Sequence, residues 1–323
     1  MRATARAQPN IALVKYWGKR DTMRNLPAVG SISMTLSELH TEMCVELDVT
    51  LDEDVLVVNG VENPGLRPRV QSCLDHVLGA GRSRARITST SNFPIAAGLA
   101  SSASAFAALV VAATAAAGQS RTTAELAALA GKASGSAARS LYGGFVELRN
   151  RDDDIDVRSL RPGSEWPLSV VIAITTADAK PVGSGAAMEI SRRTSPFYAR
   201  WIDQQETDLA DARNAIAARN FAQLAAVAEH NCLKMHSVMW ASRPPIVYWN
   251  SVTLSCMRAV RELQAAGVGV FFTIDAGPQV KAVCLPDNEL RVRDELASVA
   301  GVAEVMTSGL GDGAALVGAA CPG

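Results

Sequence analysis

The chain has 323 residues, of which 48% are hydrophobic and 20% are charged, and its formal net charge is −1. A chain of this length can form two domains, each with its own core. The near-neutral charge excludes the broad positive surface that nucleic acid or an anionic membrane attracts, so we expect neither as a partner. Any positive field must be local, which suits a small anionic ligand.

The first candidate site is a cationic and aromatic run at the end of an apolar stretch over residues 10–14. The run consists of Lys15, Tyr16, Trp17, Gly18 and Lys19. Cations and aromatic rings around a glycine favour a pocket wall for an anion; a basic strand end whose lysines reach solvent is the alternative.

Two strands, a hairpin arm and a helix are predicted next, over residues 31–36, 42–47, 54–59 and 67–78. Arg69 either lies in a solvated turn or faces the same anion.

The stretch from Asn92 to Ser102 follows an alternating strand over residues 84–91 and precedes an alanine-rich helix that should end near Ala117. Its small residues let backbone N–H groups approach an anion, and the helix N-terminus adds about half a positive charge. Neither the Walker pattern nor the dinucleotide fingerprint fits this stretch. It indicates a phosphate-binding unit, and an ordinary glycine turn before a buried helix is the alternative.

Serines and glycines recur after a second amphipathic helix, which we predict over residues 123–133. The run from Ser134 to Gly144 carries Arg139 within a helical turn. A guanidinium is planar and binds a carboxylate or phosphate through two parallel hydrogen bonds. We therefore interpret Arg139 as an anion ligand, with a helix–helix turn and a surface arginine as the alternative.

The second half of the chain opens with an apolar strand over residues 168–175, and the composition places a domain boundary just before it. A small-residue loop and three helices follow, over residues 180–185, 197–218, 221–235 and 246–266. Another apolar strand over residues 268–273 leads to Asp275. A carboxylate held at the tip of a strand is typical of a catalytic group at a cleft, although aspartate is also a common turn former.

The six cysteines are scattered and include no C-x-x-C pair. We interpret them as reduced thiols of a cytoplasmic protein. The four histidines do not combine with them at metal-ligand spacing, so no zinc site is expected.

Four segments together resemble the diphosphomevalonate decarboxylases, a family of the GHMP kinase superfamily. They are residues 10–20, 92–102, 134–145 and 275–278, and they occur in the family's order. The resemblance implies an α+β chain with the GHMP kinase two-domain fold. An N-terminal domain like ribosomal S5 domain 2 would span residues 1–165, and a ferredoxin-like α/β sandwich would span residues 166–323. The active site would lie between them.

The resemblance also implies an activity and its residues. The activity is ATP-dependent decarboxylation of 5-diphosphomevalonate to isopentenyl diphosphate, with ATP and Mg²⁺ as cofactors and a homodimer as the assembly. Asp275 would orient or deprotonate the C3 hydroxyl, Arg139 would hold the substrate carboxylate, and Lys15 would supply a nearby cation. Substrate-binding positions would be Tyr16, Trp17, Gly18, Lys19, Arg69, Ser134, Gly135, Ser136, Ala137, Ala138, Arg139, Ser184, Gly185 and Met188. Nucleotide-binding positions would be Pro94, Ala97, Gly98, Leu99, Ala100, Ser101 and Ser102, with Ser101 also a magnesium ligand.

The chain departs from the family pattern at three small residues: Gly185 replaces a common threonine, Ala133 a glycine and Ala138 a cysteine. These changes conserve small size and cast little doubt on activity. Two alternatives stay open. The chain is a sister GHMP enzyme, such as a mevalonate 3-kinase or a phosphomevalonate decarboxylase, or it is a catalytically silent GHMP-fold sensor. The retained Asp275 argues against the sensor, because pure binding does not need a base there.

Overall fold

The computed structural model describes residues 1–94, 99–178 and 180–318. The strands are β1 (Arg2–Ala7), β2 (Asn10–Val14), β3 (Lys19–Asp21), β4 (Leu26–Pro27), β5 (Ser31–Thr35), β6 (Thr41–Asp48), β7 (Val55–Val58), β8 (Val61–Glu62), β9 (Arg84–Ser91), β10 (Phe145–Asn150), β11 (Ile155–Arg161), β12 (Ser169–Ile174), β13 (Val270–Thr273), β14 (Val280–Cys284), β15 (Glu304–Ser308) and β16 (Ala315–Gly318). The helices are α1 (Arg67–Leu78), α2 (Ser101–Ala116), α3 (Thr123–Ala133), α4 (Ser184–Thr194), α5 (Tyr198–Ala218), α6 (Phe221–Trp240), α7 (Ser251–Ala265) and α8 (Glu289–Ser298).

The N-terminal half contains two sheets, with strand orders β16-β1-β6-β9-β7-β8 and β11-β10-β5-β2. Helix α2 packs against β1 and β6 and against a short 3₁₀ turn at Ala137–Leu141. A helix that is apolar on all sides is buried, and the alanines of α2 let its backbone approach the sheet closely. This packing directs the N-terminus of α2 and the turn that carries Arg139 toward the same cavity.

The C-terminal half is built on an antiparallel sheet in the order β13-β14-β12-β15. One core cluster joins the two halves, since Leu13 and Phe145 of the first half share it with Leu209 and Phe271 of the second. Helices α5 and α6 pack against each other, and both contact β2. Because β2 is an edge strand, these helices cover a sheet edge that would otherwise be open. The end of β2 is thereby placed beside the end of β13.

Most predicted elements form close to the expected bounds. Helix α2 ends at Ala116, and α6 continues to Trp240, past the predicted end at residue 235. The predicted helix over residues 246–266 begins later, at Ser251, because the Asn250 side chain accepts a hydrogen bond from the Thr253 N–H and caps the helix there. The domain boundary at residues 165/166 stays a prediction. Strand β16, near the end of the described chain, returns to the N-terminal half and pairs with β1.

Four of the six cysteines match the interpretation as reduced thiols, one does not, and Cys321 lies outside the described residues. Cys73, Cys232, Cys256 and Cys284 are buried free thiols. Cys44 is disulfide-bonded, so the prediction of a reduced thiol is wrong at that position. Within the part of the chain that the structure describes, no helix combines the length and apolar character needed to cross a membrane.

The first testable prediction concerns Gly144, which links the Arg139 turn to β10. Gly144 has φ +68°, and a Cβ there would overlap the carbonyl oxygen of Arg161 and lie 2.7 Å from the Gly163 nitrogen. Gly118 has φ +66° and open space around the same position. Both alanine variants carry a similar backbone strain, so we expect Gly144→Ala to lower the free energy of unfolding by about 2 kcal/mol more than Gly118→Ala does.

Urea unfolding of the wild type and the two variants measures this difference. Equal losses in both variants would show that the backbone conformation alone, and not the steric overlap, sets the cost.

Candidate active site

A cavity of about 720 Å³ lies between the two halves of the chain. Its volume is typical of a ligand site. Among the described lining residues six are lysine or arginine and one, Asp275, carries a carboxylate. The six cations are Lys15, Lys19, Arg69, Lys132, Arg139 and Lys180. A chain of net charge −1 thus concentrates positive charge in one cavity, as an anion-binding site requires.

Asp275 is held between two buried lysines. Lys15 Nζ donates to Asp275 Oδ1 at 2.7 Å, and Lys281 Nζ lies 3.4 Å from Oδ2. Burial by itself would raise the pKa of Asp275, but Lys15 and Lys281 lower it well below the usual range. Asp275 Oδ2 is buried and accepts no hydrogen bond. The carboxylate is therefore ionised, and its side chain, which is 22% exposed, borders the cavity where a hydroxyl group of a ligand can approach it.

Arg139 is a buried cation with neutral partners. Its guanidinium donates to Asn10 Oδ1 at 3.2 and 3.1 Å and to the hydroxyls of Ser31 and Ser33. Burial lowers its pKa to about 10, so it stays charged at neutral pH. Among the described residues no carboxylate lies within ion-pair distance of Arg139. Burying an unpaired charge is costly, so a ligand anion that enters this part of the cavity is strongly favoured.

A second cationic region lies at the other end of the cavity. Arg69 donates to the Ala133 carbonyl at 3.0 Å, and its guanidinium lies 4.6 Å from the centre of the Phe106 ring. Burial, together with Arg69, lowers the pKa of Lys19. Lys132 also lines this region. Burial disfavours the charged forms of Lys19 and Arg69, so a multiply charged anion that binds between them stabilises both cations.

Tyr16 and Trp17 form the aromatic wall of the cavity. A Cβ at Gly135 would lie 2.8 Å from the Tyr16 ring, so glycine is needed for this close contact. The hydroxyl of Tyr16 and the indole nitrogen of Trp17 are buried and have no hydrogen-bond partner. Burial raises the pKa of Tyr16, which therefore stays a neutral donor. Unpaired buried donors beside a cationic cavity suit an anionic ligand.

The phosphate-binding unit predicted from the sequence borders the same cavity. Ala100, with φ 55°, precedes the first turn of α2, and that turn contains no acidic residue. Ser102 Oγ lies 3.4 Å from Ser134 Oγ, which lies 3.4 Å from Ser136 Oγ. The hydroxyls thus run from the helix N-terminus toward the Arg139 turn. Beside them, Met43, Leu56, Val70, Phe106 and Leu109 form an apolar part of the cavity lining.

The structure brings most of the predicted site residues into the cavity wall. They are Lys15, Tyr16, Trp17, Lys19, Arg69, Ala100, Ser101, Ser102, Ser134, Gly135, Ser136, Arg139, Ser184, Gly185, Met188 and Asp275. Other predicted residues lie behind the wall: Ala137 and Ala138 are in the N-terminal core, Leu99 is in the core between the halves, and Gly18 and Pro94 do not line the cavity. Ala97 and Gly98 lie outside the described residues.

Four site residues were not predicted from the sequence. Asn10 holds the Arg139 guanidinium, Lys132 lines the second cationic region, and Lys281 lies beside Asp275. Lys180 Nζ donates to Ser184 Oγ at 2.8 Å and to the Ala276 carbonyl at 3.2 Å. One of them left a signal, since Lys281 interrupts the apolar strand Val280–Cys284, where a buried charge needs a partner.

Comparisons with known proteins agree with this geometry. A diphosphomevalonate decarboxylase-like N-terminal domain model matches residues 7–159, and a mevalonate 5-diphosphate decarboxylase C-terminal domain model matches residues 170–308. The diphosphomevalonate decarboxylase of Eremothecium gossypii is 35% identical over 93% of this chain and 81% of its own length.

Solved structures show the same likeness. One, described as MDDEF in complex with MVAPP, AMPPCP and magnesium, has a TM-score of 0.92 at 33% identity and covers 98% of this chain and 99% of its own. Mevalonate diphosphate decarboxylase from Staphylococcus aureus has a TM-score of 0.92 at 35% identity and covers 98% of each chain. The predicted α+β two-domain fold is thereby confirmed.

A pH-dependent prediction follows from His236, which is fully buried on α6 with Nε2 3.2 Å from the Ile274 carbonyl oxygen. Burial lowers the pKa of His236 to about 3. Below an unfolded pKa of about 6.5 the unfolded chain binds a proton there that the folded chain does not, so the free energy of unfolding falls as the pH falls. We expect this histidine to account for a loss of about 2 kcal/mol between pH 7 and pH 5.

Urea unfolding at both pH values checks this expectation, because His236→Gln should remove that part of the pH dependence. His230→Gln, at an exposed position on the same helix, is the control for losing a histidine. If the wild type and His236→Gln lose equal stability between the two pH values, His236 does not hold a lowered pKa.

Proposed function

The chain belongs to the diphosphomevalonate decarboxylase family, and we propose that it converts (R)-5-diphosphomevalonate and ATP to isopentenyl diphosphate, ADP, phosphate and CO2 in isoprenoid biosynthesis. One observation carries the proposal. Arg139, a buried cation without a carboxylate partner, lines the same cavity as the Asp275–Lys15 pair. A substrate with both a carboxylate and a hydroxyl satisfies both groups at once.

The charges of the cavity support one placement of the substrate. Its carboxylate binds Arg139, and its diphosphate lies between Lys19 and Arg69, with Lys132 close by. The C3 hydroxyl then reaches Asp275. ATP places its base on the apolar lining and its phosphates at the N-terminus of α2, where Ser101 and Ser102 begin the helix. The γ-phosphate thereby points toward the hydroxyl that it phosphorylates.

The chemistry follows from this placement. Asp275 accepts a hydrogen bond from the C3 hydroxyl and orients its oxygen toward the γ-phosphorus, and Lys15 fixes the carboxylate. A carboxylate with a strongly lowered pKa is a weak base, so orientation is its main contribution. As the new O–P bond forms and the bond to ADP breaks, the C3 hydroxyl becomes strongly acidic and its proton passes to the Asp275 carboxylate. The C3–O bond then breaks, phosphate leaves, and the electron pair of the bond to the carboxylate forms the C2–C3 double bond as CO2 departs.

The residues present fit a magnesium ion that is held mainly through phosphate. Among the described residues no cluster of three or more histidine, cysteine or acidic side chains surrounds a metal position. Mg²⁺ commonly keeps waters and binds substrate phosphates with few protein ligands. We infer that the hydroxyl of Ser101 is such a ligand. When bound, Mg²⁺ neutralises phosphate charge, which this loop without a Walker lysine cannot do alone.

We further infer a homodimer in the cytoplasm. The four buried free thiols support a reducing compartment, whereas the disulfide at Cys44 is the observation against it. Light scattering of the purified protein measures the assembly, and fractionation of the source cells measures the location.

One assay tests the activity against the alternatives. The purified protein is mixed with ATP, Mg²⁺ and mevalonate 5-diphosphate, and ADP and CO2 are measured separately. We expect both products in equal amounts. ADP without CO2 would leave a kinase, and neither product would leave a binding protein. Faster turnover of mevalonate 5-phosphate would identify a monophosphate decarboxylase.

The role of Asp275 gives the next prediction. Asp275→Asn keeps the shape of the side chain but removes its charge and donates where an acceptor is needed. We expect kcat to fall by about 10²-fold or more while substrate affinity stays within about tenfold. Asp203→Asn, at an exposed position on α5, is the matched control and should keep wild-type turnover. Near-normal kcat in Asp275→Asn would remove Asp275 from the mechanism.

A further inference from the structure

The backbone N–H and C=O groups of Lys15 need hydrogen-bond partners from outside their own sheet. Lys15 follows β2, an edge strand whose only strand partner in the described sheet is β5. The register of that pair shifts between Ala12 and Val14. Lys15 is 1% exposed, so neither water nor a neighbouring strand is available to its backbone N–H and C=O groups. Buried backbone groups must nevertheless be hydrogen-bonded.

Two side-chain amides from the helices α5 and α6 supply these hydrogen bonds. The Lys15 N–H donates to Asn231 Oδ1 at 2.7 Å, and the Lys15 carbonyl accepts from Gln205 Nε2, also at 2.7 Å. Both amides are buried, with Asn231 0% and Gln205 2% exposed. Each backbone group of Lys15 therefore depends on one side chain of the C-terminal half.

The orientation of both amides is fixed by their other partners. Asn231 Nδ2 donates to Gln205 Oε1 at 3.0 Å and to Asp208 Oδ2 at 2.5 Å, and Lys234 Nζ also lies 2.5 Å from Asp208 Oδ2. Because the NH2 group of Asn231 faces two acceptors, its oxygen must face the Lys15 N–H. The network is satisfied in only one arrangement, which gives it a defined geometry.

The same helix also holds the backbone next to Asp275. The Ile274 N–H donates to Cys232 Sγ at 3.2 Å, and His236 Nε2 lies 3.2 Å from the Ile274 carbonyl oxygen. Asn231 and Cys232 are neighbours on α6, one holding Lys15 and the other holding the residue before Asp275. Helix α6 thus connects the two partners of the 2.7 Å ion pair through its rigid backbone.

We propose that Asn231 and Gln205 are positioning residues for Lys15, and that α6 sets the distance between the Lys15 ammonium and the Asp275 carboxylate. Neither amide lines the cavity, so both act through Lys15 and not on the substrate. This inference rests on the proposed function, because it assigns a purpose to a geometry that the reaction uses. A displacement of about 1 Å at a reacting group costs up to about 10²-fold in rate.

The test uses two variants that keep the side-chain volume, Gln205→Met and Asn231→Leu. We expect kcat to fall between about tenfold and 10²-fold while the KM values for ATP and mevalonate 5-diphosphate stay within about threefold. Gln264→Met is the matched control. Gln264 Nε2 donates to the Val270 carbonyl and to Glu229 Oε1 of α6, both at 2.9 Å, so this variant also removes an amide that joins α6 to a strand, but one that makes no hydrogen bond to Lys15.

The control should lose thermal stability as the two variants do and keep wild-type kcat per folded molecule. A fall in kcat no larger than that of Gln264→Met would overturn the positioning role. Wild-type turnover is measured first in the same assay, so a wild type without activity counts against the proposed function alone. In that case crystal structures of the variants still decide: we expect the Lys15–Asp275 contact of 2.7 Å to lengthen beyond hydrogen-bond distance, and an unchanged contact overturns the inference.

Discussion

The ion pair between Lys15 and Asp275 is the contact on which the rest of the site depends. It joins two residues 260 positions apart and brings the end of β2 to the end of β13. Removing two charges from water is costly, and the attraction between them often does no more than offset that cost. The pair is therefore better understood as a constraint on geometry than as a source of stability. It keeps the carboxylate ionised and fixed at the wall of the cavity.

The other cations of the cavity follow from the same requirement. Asp275 balances one lysine, and the cavity still has excess positive charge from Lys19, Arg69, Arg139 and Lys180. Burial lowers the pKa of each of these groups, because removal from water disfavours their charged forms. A diphosphate, a triphosphate and a carboxylate remove that penalty when they bind. Substrate affinity and the lowered pKa values of these cations are thus two consequences of one arrangement of charges.

The sequence predicts those parts of the site that lie within short stretches of chain. The run from Ser134 to Arg139 and the position of Asp275 after an apolar strand carry their chemistry in neighbouring residues, so the pattern identifies them. Asn10 escapes this approach because its partner Arg139 lies 129 positions away. Lys281 interrupts an apolar strand and so leaves a signal, but its partner Asp275 is known only from the structure. The late start of α7 likewise depends on the cap at Asn250, which periodicity does not reveal.

Helices α5 and α6 show why the contacts that the sequence does not predict matter for function. Amphipathic periodicity predicts that their inner faces are apolar, yet Gln205, Asp208 and Asn231 are buried there. A buried polar residue in a helix is costly unless a partner is present, so each such residue marks a contact that the helix alone does not explain. In this chain the backbone groups of Lys15 are the partners of Gln205 and Asn231, and Asp208 in turn accepts from Asn231 and pairs with Lys234. These buried polar residues therefore mark the surface where the two halves meet. The residue that this surface holds in place is Lys15, the ion-pair partner of Asp275.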